Sequence, residues 1–178
     1  MTVDKAFREA LGYEEQIRDL YRKAAQAAGS PEARTFFELL GREEAFHVDY
    51  LERRLHEWSS KGGIVPEALV SNLPDPARLE AAAKRAGEPL AGRDAGGKSL
   101  EGRILGGEEE AMARALKAEE ETTAFYKRLA AELPGDEGKL FARFLEIEEG
   151  HTRMVRAELD LASRTGYWFD ARVFDLED

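Results

Sequence analysis

The chain has 178 residues and a mass of 19.9 kDa, enough for one domain with a sizeable core. It holds no cysteine, which excludes disulfides, thiolate zinc sites, iron–sulfur clusters, rubredoxin-type iron and cysteine catalysis. Asp and Glu number 36 against 26 Lys and Arg, and the net charge of −10 repels phosphate and attracts cations, so no nucleic-acid partner is expected.

Ala, Glu, Leu and Arg dominate and β-branched residues are sparse, which favours helix. Apolar residues recurring at steps of three and four predict a first helix from about Asp4 to Ala28, ended by Gly29. Ser30 is the expected cap of a second helix, with Pro31 at its first position, and Gly62-Gly63 stops it. The third is expected from Glu108 to Leu133, broken by Pro134-Gly135. The Glu108-Glu109-Glu110 run reads as its solvated start. Asp136 is the expected cap of the fourth, which ends near Thr165-Gly166.

Between the second and third helices, a crossover insertion over 68–104 carries a short helix from Asp75-Pro76 to about Arg85. The last stretch, 167–178, contains Tyr167, Trp168, Phe169 and Phe174. It is too apolar for a free tail and should dock on the bundle or on a partner subunit. The expected fold is all-α: residues 1–166 form a four-helix bundle of two antiparallel hairpins joined by a long crossover. No apolar run is long enough to span a membrane, and Met1 to Phe7 lack a basic-then-apolar leader, so a cytoplasmic protein is expected.

The two hairpins repeat. Glu14 and Glu119 are 105 residues apart, as are Tyr21 and Tyr126; Glu44 and Glu148 are 104 apart, as are His47 and His151. Each half therefore reads Glu, Tyr, then Glu-x-x-His on the following helix. A helix advances about 100° per residue, so residues three apart share a face and can reach one metal ion. Glu44 and His47 fall on the stripe of Phe37, Leu40, Leu51 and Leu55. Glu148 and His151 fall on that of Leu140, Phe144, Val155 and Leu159. Glu14 lies between Leu11 and Ile17, and Glu119 between Leu116 and Tyr126. All four carboxylates sit at similar distances from their turns, so they can meet at mid-bundle. Buried together, they would each cost several kcal/mol unless neutralised, and two divalent cations would cancel four charges.

Glu14, Glu44, His47, Glu119, Glu148 and His151 are therefore the candidate metal ligands. Tyr21 and Tyr126, two turns beyond their Glu residues, are either core packing or hydrogen-bond donors to a ligand carboxylate of the other hairpin. His56 lacks the Glu, lies on the opposite face from His47, and reads as a surface residue. Trp58, Trp168 and Phe169 read as packing groups. Oxygen-rich sites with two imidazoles and no thiolate suit iron or manganese, and zinc can occupy them.

This pattern resembles the rubrerythrin branch of the ferritin-like superfamily, with its di-iron carboxylate site, over roughly residues 4–164. The resemblance implies two iron ions per chain, with Glu44 and Glu148 bridging, Glu14 and Glu119 terminal, and His47 and His151 on one iron each. It implies oxidation of ferrous iron with reduction of hydrogen peroxide or oxygen, in a peroxidase or ferroxidase role serving iron handling or oxidative-stress defence. A chain without cysteine carries no rubredoxin domain, so electrons would come from an external donor such as a rubredoxin-like protein. Thr122 stands where rubrerythrins have an extra Glu, which leaves a six-ligand set like that of bacterioferritin. The tail does not read as the fifth helix of a ferritin cage, so a homodimer is expected. The alternatives are a non-catalytic zinc or manganese bundle or interaction protein, and an oxygenase acting on an organic substrate.

Overall fold

The computed structural model describes residues 1–64, 68–71, 73, 106–166 and 168. The expected short helix near 75–85, and all of the 167–178 tail except Trp168, lie outside the described residues. The described residues form four helices and no strand: α1 (Val3–Ala27), α2 (Pro31–Lys61), α3 (Glu108–Glu132) and α4 (Gly135–Thr165). None is long and apolar enough to cross a membrane.

Local chemistry sets most of the ends. Ser30 accepts from the Ala33 N–H at 3.2 Å and Pro31 opens α2, as expected. Gly62 and Gly166 close α2 and α4 in the left-handed conformation, at φ 71° and 74°. Two expectations fail. Helix α1 ends at Ala28 in extended backbone rather than on a left-handed Gly29. Helix α4 starts before Asp136: Pro134, extended at ψ 172°, precedes it, and Asp136 falls in the first turn, where it pairs with Lys139. Gly138 is required there, since a Cβ would come within 2.0 Å of the Leu133 carbonyl oxygen.

α1 packs along α2 and α3 along α4 as antiparallel hairpins, and α1 faces α3 across the bundle. Aromatic contacts from Tyr50 and His47 to Phe144 join α2 to α4. The apolar core is divided in two. One cluster gathers Tyr21, Phe37, Leu40, Met112 and Val155. The other gathers Phe7, Leu51, Phe125, Tyr126, Phe141 and Phe144. The polar ligand candidates lie at the level between them, with packed apolar side chains toward each end.

The turn between α1 and α2 is fastened to the start of α3. Glu108 is buried and takes hydrogen bonds from the Gly29 N–H, the Ser30 N–H, the Ser30 hydroxyl and the Trp168 indole. The acidic run is therefore not wholly solvated: its first carboxylate is a buried acceptor. Glu109 and Glu110 keep exposed partners, Ser163 and Arg114. Trp168 is buried against Phe36 and Phe37, with ring centroids 5.5 and 5.6 Å away.

Candidate metal centre

The helical stripes carry all six ligand candidates into the interior. Glu14, Glu44, His47, Glu119 and Glu148 are 0% exposed and His151 is 1% exposed. His56 stays at the surface, as its position predicts. The His47 Nδ1 faces three carboxylate oxygens at once: Glu44 Oε2 at 3.1 Å, Glu14 Oε2 at 3.2 Å and Glu148 Oε1 at 3.3 Å. The His151 Nδ1 lies 2.9 Å from Glu44 Oε1, 3.7 Å from Glu148 Oε2 and 3.9 Å from Glu119 Oε2.

These contacts divide the site into two matching halves. Glu44 and Glu148 each turn one oxygen to His47 and the other to His151, whereas Glu14 serves only the His47 half and Glu119 only the His151 half. The ligand atoms of Glu14, Glu44, His47 and Glu148 lie within 4.8 Å of one another, as do those of Glu44, Glu119, Glu148 and His151. The imidazoles stack with centroids 5.4 Å apart and planes 8° from parallel.

Hydrogen bonding leaves much of this cluster unsatisfied. Both Glu148 oxygens, Glu44 Oε1, Glu119 Oε2, the His47 Nε2 and both His151 nitrogens are buried with no hydrogen-bond partner. The 2.9 Å approach of His151 to Glu44 is close enough for an ion pair but is not aligned as a hydrogen bond. Buried polar atoms in folded proteins are normally paired, so a group of orphans at one point is the donor set a cation would complete.

The tyrosines support this set from across the bundle. The Tyr21 hydroxyl donates to Glu119 Oε1 and the Tyr126 hydroxyl donates to Glu14 Oε1. Each hydrogen bond runs from one hairpin to the other. Burial and the adjoining carboxylates push both phenols well above their ordinary value, so they remain protonated donors. Tyr126 also stacks on Phe144 at 4.9 Å, and Phe144 meets His47 edge-on at 5.3 Å.

Burial and mutual charge shift the proton affinities of these groups. Burial, followed by the charge of Glu148, pushes Glu14 well above the usual carboxylate range. Burial also raises Glu119; His151 opposes this, and Glu44 and Glu148 add to it. Burial would raise Glu44 too, but the two imidazoles hold it well below its ordinary value. Burial pulls the imidazoles down, yet the carboxylates outweigh it: His47 lies well above its ordinary value and His151 is pushed up to about 10.

Among the described residues, Glu43, Glu108 and Glu158 are buried carboxylates that escape the sequence pattern. Glu43 lies one turn before His47, is 4% exposed, and accepts from the Ser71 hydroxyl at 3.0 Å. Its only signal in the sequence is the four-residue spacing to His47, and its counterpart in the second hairpin is Ile147. Glu108 has no local signal, because its partners are far along the chain. A cavity of about 250 Å³ borders His151, lined by Ser71, Leu73, Arg143, Ile147 and Arg153 among others.

Comparison with protein-family models, with curated proteins and with solved structures finds no match to this chain.

Proposed function

We propose that this chain is a ferritin-like bundle carrying a dinuclear metal centre, and that it oxidises ferrous iron with reduction of hydrogen peroxide or oxygen. The observation that carries the reading is the division of the Glu44 and Glu148 oxygens between the two imidazoles. A carboxylate that turns one oxygen to each half could serve an ion in both. Glu14 with His47, and Glu119 with His151, would complete one half each. The orphaned oxygens and nitrogens fit that demand, and an oxygen-rich set with one imidazole per metal suits iron or manganese.

A ferrous pair would supply the two electrons that reduce one peroxide. The chain's own residues do the rest. Glu14, Glu44, Glu119 and Glu148 hold the charge of two divalent ions in a dry core. Tyr21 and Tyr126 fix the terminal carboxylates by their hydroxyl protons. The two apolar clusters exclude water above and below. The cavity of about 250 Å³ beside His151 would give peroxide or oxygen a way to approach the centre. Electrons for repeated turnover would come from an external donor, since the chain has no cysteine to hold rubredoxin-type iron.

The test is anaerobic loading with two equivalents of ferrous iron, followed by peroxide or air. The expected result is a near-ultraviolet ferric absorption that rises faster than for iron in buffer and is lost in Glu148→Ala. Stoichiometric binding with oxidation no faster than in buffer would instead indicate a non-catalytic metal bundle.

A further inference from the structure

Glu43 stands outside the symmetry of the centre. Glu44 and His47 have counterparts in Glu148 and His151, but the residue 104 positions after Glu43 is Ile147. The acidic side chain is nevertheless buried, and its Oε2 is held by Ser71. One Glu43 oxygen, a ring nitrogen of His47 and a ring nitrogen of His151 lie within 4.8 Å of one another. The two rings are stacked almost parallel, so one carboxylate at their edge is near both. Each ring turns its Nδ1 toward the four central carboxylates, and the Nε2 of each is buried without a hydrogen-bond partner. A buried N–H without an acceptor is costly, and metal-bound imidazoles generally pass their second N–H to a carboxylate, a carbonyl or water.

We propose that Glu43 is a positioning residue shared by both imidazoles. Its carboxylate takes the Nε2–H of His47 and of His151, directly or through one water, and holds both rings in the tautomer that leaves Nδ1 free for metal. The proposal rests on the dinuclear-centre reading. A carboxylate has about four acceptor sites, so Glu43 can serve more than one donor at a time, as it already serves Ser71. Ile147, at the matching position of the other hairpin, has no side-chain acceptor, so among the described residues the pair of rings has this one carboxylate at its outer edge. The segment around Leu69 and Ser71 thereby becomes part of the support for the centre. It is fixed to α2 through Glu43 and to α4 by the Arg143 Nε, which donates to the Leu69 carbonyl at 3.0 Å.

The experiment uses the full chain loaded with zinc and labelled with ¹⁵N at histidine, read by long-range proton–nitrogen NMR, beside a cobalt titration. In the wild type, His47 and His151 should both show metal-bound Nδ1 and slowly exchanging Nε2–H signals. In Glu43→Ala, both signals should shift and exchange faster, and cobalt affinity should fall about 10–100-fold. Glu43→Gln keeps an acceptor oxygen and the side chain's shape, so it should lose less; it also keeps the test decisive should the alanine variant not fold. Variants that match the wild type in both readouts, or that change only one imidazole, overturn the proposal and leave the metal centre standing. A wild type that takes up neither zinc nor cobalt overturns the metal-centre reading, and this proposal with it.

Discussion

Glu148 presents one oxygen toward each imidazole, and neither oxygen has a hydrogen-bond partner. Removing it takes a ligand from both halves of the centre, so Glu148→Ala should lose both metals. His56→Ala should lose neither, because His56 is exposed on another face of α2. Metal content after saturation and gel filtration compares them, and equal content in the two variants would refute the ligand assignment. At this scale the gathering of six buried polar residues was legible, because charged residues on an apolar stripe break the helical pattern. The spacing two turns beyond each Glu also placed Tyr21 and Tyr126, and the structure adds which carboxylate each one reaches. Glu43 was not legible. It has no partner in the repeat, and it shares its burial with Ser71 through a fold-level contact.

Each helix is written largely in its ends, and those ends position the site. Ser30-Pro31, Gly62 and Gly166 could be read directly, because each satisfies a local backbone requirement. The Glu108 run could not. Its charge suits a helix start whether solvated or not, and burial is decided by Gly29, Ser30 and Trp168, which meet it only after folding. Glu108→Ala would strip acceptors from these donors, and leaving a buried donor unpaired costs about 1–3 kcal/mol. We expect a melting temperature lower by several degrees, with Trp168 emission shifted toward that of exposed indole. Metal content should be unchanged, because Glu108 belongs to the end of the bundle and not to its centre. Loss of metal in a folded Glu108→Ala protein would contradict that separation.

In the molecule as a whole, the buried carboxylates and imidazoles couple folding to protons. Glu14, Glu119, His47 and His151 all titrate higher in the folded apoprotein than unfolded. The stability they contribute is complete below their ordinary values, 4.5 for the carboxyls and 6.5 for the imidazoles, and is lost as pH rises toward the folded values, about 10 for His151. Glu44 runs the other way: its contribution is present above 4.5 and is lost only on strong acidification. Bound metal would replace the protons and remove this loss. The rise in melting temperature given by saturating manganese should therefore be larger at about pH 7.5 than at about pH 5.5. An equal or smaller rise at the higher pH would contradict a shared cluster. The paired hairpins were legible at this scale from the repeat, since its near-constant offset places both halves at one level. What divides the apolar core around the centre was not, because that depends on how the stripes interlock. The most direct measurement is anomalous diffraction from crystals grown in saturating manganese. The account predicts two ions in each chain, roughly 3.5–4 Å apart and both touching Glu44 and Glu148. Crystals with no ion between those two carboxylates, or with manganese only on surface acids, would contradict it.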